Sequence, residues 1–195
     1  MSLRTAQQLF VYEGRSTTPA EFVSYWSTLY EDPREALYVD NIGLPLTPDR
    51  VRNLFIWKNG GVPSAAKSQS IETNYINRIA EVERLPLNTT ASDFLDRFAL
   101  GGAIWRIFWL HCWQPERFPI YDVHVHRAMT IIEDAKADEL NRFNDKKKVT
   151  LYLERYLGFC ERFQGIAQRQ VDRALWTFGK FIRDHPPIID AWLKS

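Results

Sequence analysis

Apolar residues recur along this chain at spacings of three and four, whereas alternating runs of period two are scarce and no hairpin signal separates two strand-like stretches. The pattern predicts an all-α protein. Thr18-Pro19-Ala20-Glu21 reads as a helix start, with Thr17 or Thr18 as cap, a proline in the first turn and Glu21 near the position that closes a capping box, ahead of Phe22, Tyr25, Trp26 and Leu29. A helix over residues 19 to 30 follows from it. Thr47-Pro48-Asp49 repeats that start before Val51, Leu54, Phe55 and Trp57, and Asn59-Gly60-Gly61 stops the helix after Lys58. Ile71, Tyr75, Ile76, Ile79 and Val82 predict a third amphipathic helix over residues 68 to 84, closed by Pro86. Thr90-Ala91-Ser92-Asp93 begins a further one that ends near Leu100-Gly101-Gly102.

Residues 103 to 113 are apolar on nearly all sides, broken chiefly by Arg106 and His111, so they read as a buried central helix whose charged members need partners. Phe118-Pro119-Ile120-Tyr121-Asp122 then hands an extended turn over to a new helix, with Asp122 at its N-cap. The charged stretch 138 to 148 reads as a surface loop or helix tip, and residues 149 to 163 and 166 to 183 as two closing helices. Val171, Leu175, Phe178, Gly179 and Ile182 share a face of the last one, and Pro186-Pro187 ends it before a short apolar tail reaching Trp192. With no internal repeat, low-complexity segment or linker, the chain is expected to form one helical unit over residues 1 to 195, or two intertwined lobes sharing a cleft near residues 100 to 127.

Composition narrows the function classes. A chain of 195 residues, 45% apolar, suffices for one substantial core. No apolar run approaches the roughly 20 residues that span a bilayer, and the N-terminus lacks the basic-then-apolar pattern of a secretory signal, so a cytoplasmic protein without a membrane partner is expected. Cys112 and Cys160 sit among apolar or aromatic neighbours without CxxC spacing and read as reduced thiols rather than a zinc site. A net charge of +1 argues against coating nucleic acid through charge alone, although it permits a local basic cleft. The 14% aromatic content, with seven tryptophans, fills cores but also supplies rings that stack on bases.

Candidate chemistry starts at Asp122. As a cap alone it would stabilise its helix by about 1 kcal/mol. Trp57-Lys58-Asn59 beside Gly60 places a ring, a cation and an amide where they can stack on, ion-pair with and hydrogen-bond a nucleotide, or simply terminate a helix. His124 and His126, two apart on a helix, point about 200° from each other and cannot share one metal ion. Asp122 and His126 are one turn apart and can pair. Arg127 suits a phosphate or a helix carboxylate, and Arg106 suits Asp122 or Asp172. Asp172, Arg173 and Lys180 read as surface or structural charges, and Lys146-Lys147-Lys148 as a solvated tip or a DNA-backbone contact.

The glycine junction Leu100-Gly101-Gly102-Ala103, the apolar helix after it, and the Pro119-Ile120-Tyr121-Asp122 turn leading into Val125, Arg127 and Ala128 together resemble the core of the helix-hairpin-helix base-excision DNA glycosylases. The likeness spans roughly residues 100 to 130. It implies a compact multi-helix fold, DNA as partner, Asp122 as the catalytic carboxylate, and Gly101, Gly102 and Arg127 at the DNA backbone. A fixed carboxylate beside the anomeric carbon would stabilise the sugar cation and activate water, and Trp57, Trp105, Trp109, Trp113, Tyr121 and His126 are candidates to line the slot for a flipped base. The chain departs from the family in having adjacent rather than alternate glycines. Where strand-cleaving members carry a lysine it has Ile104-Trp105-Arg106, which implies a monofunctional enzyme, and it lacks the cysteine ladder of an iron-sulfur cluster, so no cofactor is expected. Two other readings remain open: a non-catalytic helical module that binds nucleic acid or protein, and a hydrolase or transferase acting on free nucleotides.

Overall fold

The computed structural model describes residues 16–194, and every regular element among them is helical. The N-terminal stretch read above for a secretory signal lies outside the described residues. In chain order the α-helices are α1 (Pro19–Thr28), α2 (Glu35–Val39), α3 (Pro48–Asn59), α4 (Ala65–Asn74), α5 (Ile79–Glu83), α6 (Ala91–Arg97), α7 (Ala103–Trp113), α8 (Val123–Asp134), α9 (Asp145–Leu151), α10 (Leu157–Cys160), α11 (Gln168–Asp184) and α12 (Pro186–Trp192). Within the described residues no helix is long and apolar enough to cross a membrane.

Local capping chemistry sets most of the helix starts. The Thr18 hydroxyl accepts from the Glu21 N–H while Glu21 reaches back to the Thr18 N–H, closing a capping box, and the Thr47 and Thr90 hydroxyls cap α3 and α6 by accepting from the N–H groups of Arg50 and Asp93. Gly60, at φ 75°, ends α3 in the left-handed conformation that favours glycine.

Elsewhere the expected boundaries move. The single helix expected over residues 68 to 84 is two helices, α4 and α5, broken at Tyr75 and joined by a tight turn at Ile76–Arg78. The break lets the fully buried Tyr75 ring stack on Phe55, with centroids 4.5 Å apart. Pro186-Pro187 opens α12 rather than ending the regular structure, because proline is compatible with a first helical turn. The charged stretch 138 to 148 contains a tight turn that buries Leu140 and then the Asn144-capped start of α9. The segment 149 to 163 is interrupted by a π-helical turn at Tyr152–Tyr156, which brings both tyrosines inside.

Buried apolar residues from Val23 to Ile189 form one contiguous cluster. Helix α7 runs through its centre, with Ile107, Phe108, Trp109 and Leu110 fully buried. Phe55 of α3 meets Phe108 edge-on at 5.4 Å, and Trp113 stacks on Phe94 of α6 at 5.2 Å. α11 packs against both α1 and α8. Phe22 and Trp26 of α1 meet Phe178 at 5.3 and 4.9 Å, and on the α8 side a Cβ added at Gly179 would stand 1.9 Å from the His124 carbonyl oxygen. This close helix approach brings the C-terminal end of α3, the N-terminal end of α8 and the middle of α11 together.

Candidate active site at the start of helix α8

Ile120 and Tyr121, in the non-helical segment ahead of α8, are buried, which anchors the residue that follows them. Asp122 then caps α8: its Oδ1 accepts from the N–H groups of His124 and Val125 at 2.9 and 3.1 Å. Its Oδ2 accepts from Lys58 Nζ at 3.1 Å, across 64 residues of chain. The lysine is 5% exposed and the aspartate 19%, so the pair is shielded while the carboxylate keeps an open side. Lys58 also lies 5.6 Å from the Phe108 ring centroid. Burial acts to raise the Asp122 carboxyl, but Lys58, His124 and the Val125 N–H outweigh it and hold the group below its ordinary range. Asp122 is therefore a fixed, ionised carboxylate at neutral pH.

The remaining expected site residues scatter around this pair. Trp57, next to Lys58, faces the interior between Tyr38 at 4.5 Å and Phe108 at 5.8 Å. Asn59 closes the α3 turn by donating to Gly61 O at 2.9 Å and accepting from Lys67 at 2.8 Å. Tyr121 and His126 are fully buried and bond to each other at 2.8 Å, so His126 is not the partner of Asp122. Burial lowers His126 to about 4 and keeps it neutral.

Arg127 is 4% exposed and forks onto both Glu139 oxygens at 2.8 Å while donating to Gly179 O at 3.1 Å, so it ties α8 to α11 and to the following loop instead of facing solvent. Arg106 closes the end of α6 through the carbonyls of Leu95 and Phe98, and holds neither Asp122 nor Asp172. Gly101 has φ 86°, and a Cβ there would stand 2.2 Å from the Tyr75 hydroxyl oxygen, while Gly102 is the N-cap of α7. Gly102 and the half-buried Trp105 line a separate cavity of about 380 Å³ with Lys67 and Lys148.

Sequence reasoning missed the charged network beneath the Asp122 site. Asp172, read as a surface or structural charge, is 6% exposed and paired with Arg169. Arg169 continues to Glu35 at 2.7 Å, Glu35 also receives Arg173 at 2.7 Å and Tyr30 at 2.9 Å, and the Arg169 guanidinium lies 4.2 Å from the Tyr38 ring centroid. Tyr38 bonds to His111 Nε2 at 2.8 Å, and His111 Nδ1 lies 2.7 Å from Phe118 O. Only a protonated Nδ1 can donate to that carbonyl, so Nε2 accepts from the tyrosine, and burial lowers His111 to about 3.

Asp172 behaves oppositely to Asp122. Burial pushes its carboxyl up to about 6 despite Arg169, and the charge on Asp122 adds to the rise. Two neighbouring carboxyls are thus separated in acidity, the arrangement from which acid and base roles arise. One signal was present in the chain: Asp172 sits among Val171, Ala174 and Leu175 on the apolar stripe of α11, with Arg169 one turn before it.

Cys112 is buried, Cys160 partly so, and neither is in a disulfide. Among the described residues no group of three His, Cys, Asp or Glu side chains is placed to hold a metal ion. Comparison of the chain with known protein families, with curated proteins and with solved structures finds no match.

Proposed function

We propose that this chain is a monofunctional DNA N-glycosylase of the helix-hairpin-helix kind, which releases a base by stabilising the sugar cation with Asp122. The observation that carries the reading is the ionised Asp122, aimed by two backbone N–H groups and Lys58 and still partly open to solvent. Breaking the N-glycosidic bond builds positive charge on the sugar, and a carboxylate already desolvated and fixed stabilises that charge without reorganising. The same group orients a water for attack on the cation. Gly101 and Gly102, at the start of α7, are the proposed backbone contacts, and the Trp105 ring and Lys67 nearby suit a base and a phosphate, while Lys148 in the same wall is paired with Asp145.

A second reading, a hydrolase or transferase acting on free nucleotides, draws support from the internal engagement of Arg106, Arg127 and Arg169 and from the net charge of +1. Salt dependence separates the two. A duplex binder that neutralises several phosphates loses affinity steeply with salt, and a nucleotide pocket does so much less. The glycosylase reading is tested by release of free base from oligonucleotides carrying damaged, deaminated, alkylated and hypermodified bases, with Asp122→Asn as control. Release that disappears in the variant while the helical circular dichroism is kept supports it; an unchanged rate in the variant would falsify it.

A further inference from the structure

A cavity of about 250 Å³ opens beside the acidic side chain that the Asp122 mechanism leaves unused. Its walls include Tyr38, Ile42, Ile120, Gln168, Arg169 and Asp172. Ile120, two residues before Asp122, belongs to the turn that ends at that carboxylate, so one wall of the cavity is built from the segment that carries Asp122. Its rim includes the Gln168 side chain, whose amide lies against the carbonyls of Pro115 and Glu116. A wider cavity of about 530 Å³ shares Glu116, Gln168 and Asp172 with it.

The lining selects the ligand. The space is smaller than the roughly 300 Å³ at which pockets for drug-sized ligands begin, so it holds one ring system and not a whole nucleotide. Arg169 is already neutralised by Glu35 and Asp172, and Glu116 adds another carboxylate to the wall, which disfavours a phosphate. Ile42, Ile120 and Tyr38 supply the apolar surface that a planar ring needs. Asp172 commits Oδ2 to Arg169, which leaves Oδ1 for the cavity that the residue lines.

We propose that this cavity takes a planar nitrogen heterocycle, a free or departing nucleobase, with the Asp172 carboxyl as its hydrogen-bond partner and proton donor. The second part rests on the N-glycosylase reading; the binding site does not. As the bond between the sugar and the base breaks, its electron pair goes to the ring nitrogen and the Asp172 proton follows it. Water adds its oxygen to the sugar cation stabilised by Asp122, and the proton that water releases returns to Asp172. Burial, opposed by Arg169 and Lys58 and reinforced by Asp122 and Glu35, raises Asp172 to about 6, so the acid is populated at mildly acidic pH.

The test is calorimetric titration of the whole protein with adenine, guanine, cytosine, uracil and thymine at about pH 5.5 and pH 7.5. At least one base is expected to bind saturably. Asp172→Asn and the cavity-filling Ile42→Trp should each weaken it about tenfold or more, whereas Lys180→Ala should leave it unchanged. Affinity should fall from the lower to the higher pH in the wild type and stay level in Asp172→Asn. If that variant loses its circular dichroism, Ile42→Trp alone carries the comparison. Absence of binding by every base, indifference to both substitutions, or tighter binding of inorganic phosphate or 1,4-diaminobutane overturns the assignment. Base release measured in parallel keeps the two proposals apart: release that needs Asp122 without free-base binding removes the cavity alone, and free-base binding without release removes the glycosylase reading alone.

Discussion

Lys58 Nζ sits 3.1 Å from Asp122 Oδ2, joining the last turn of α3 to the first turn of α8 inside a shell where the lysine side chain is 5% exposed. A charge pair held this dry cannot lose one member cheaply, because the survivor keeps the desolvation cost without its partner. The pair therefore serves stability, and on the proposed reading the same contact aims the carboxylate.

Lys58→Met is expected to destabilise the protein by about 3 kcal/mol at neutral pH, with part of the loss recovered in the double variant Lys58→Met/Asp122→Asn. The Asp122 carboxyl is depressed in the folded state, so its stabilisation is present above the unfolded value near 3.9 and lost as pH falls through the folded one. Removing the lysine raises the folded value and shrinks that contribution. Urea denaturation of the wild type, Lys58→Met, Asp122→Asn and the double variant between acidic and neutral pH checks both points.

Asp172 carries the opposite sign. Its folded value of about 6 exceeds the unfolded value near 3.9, so the folded protein binds the extra proton in the intervening window and the group stabilises increasingly as pH falls through it. Compared with Asp172→Asn, the wild type should gain of the order of 2 kcal/mol between pH 7 and about pH 4.5. A stability difference that stays constant over that range would show that the carboxyl titrates normally.

Gly179→Ala should be among the most disruptive single-methyl changes, since the new Cβ would stand 1.9 Å from a backbone oxygen of His124 that has no side-chain freedom to yield. A loss of about 3 kcal/mol is expected from overpacking. The first turn of α8 must shift to relieve it, so base release through Asp122, if the proposed function holds, should fall even below the melting temperature. Thermal melts together with base release report the two effects separately.

Arg127→Lys keeps the charge but loses the fork onto Glu139, and should cost about 1–2 kcal/mol. Because the guanidinium is turned inward, the salt dependence of any DNA binding should match the wild type, whereas a phosphate contact would reduce the slope by about 1. Filter binding over a range of salt concentrations distinguishes these cases.

The sequence by itself determined features that depend on neighbours within about four residues. The first helix cap at Thr17 or Thr18, the Thr47, Thr90 and Asp122 caps, the glycine stop at Gly60 and the largely apolar run of α7 were all legible, because capping bonds and the helical period are local. Asp122 was legible as an acid at a helix start, and Lys58 as a cation at a helix end. Their meeting was not, because it depends on how α3 and α8 pack around α7.

The tertiary structure alone decided which charges lie inside. Glu35 reaches the Arg169–Asp172 pair of α11 from a distant part of the chain, and only the packing of α11 buries Asp172 and sets it apart from Asp122 in acidity. Arg127 and Arg106 carry side chains that equally suit a phosphate, and the nearest unpaired carboxylate or carbonyl groups in the folded chain claimed them. The breaks at Tyr75 and at Tyr152–Tyr156 have the same origin. Burying large rings in one core outweighs the small local preference for an uninterrupted helix.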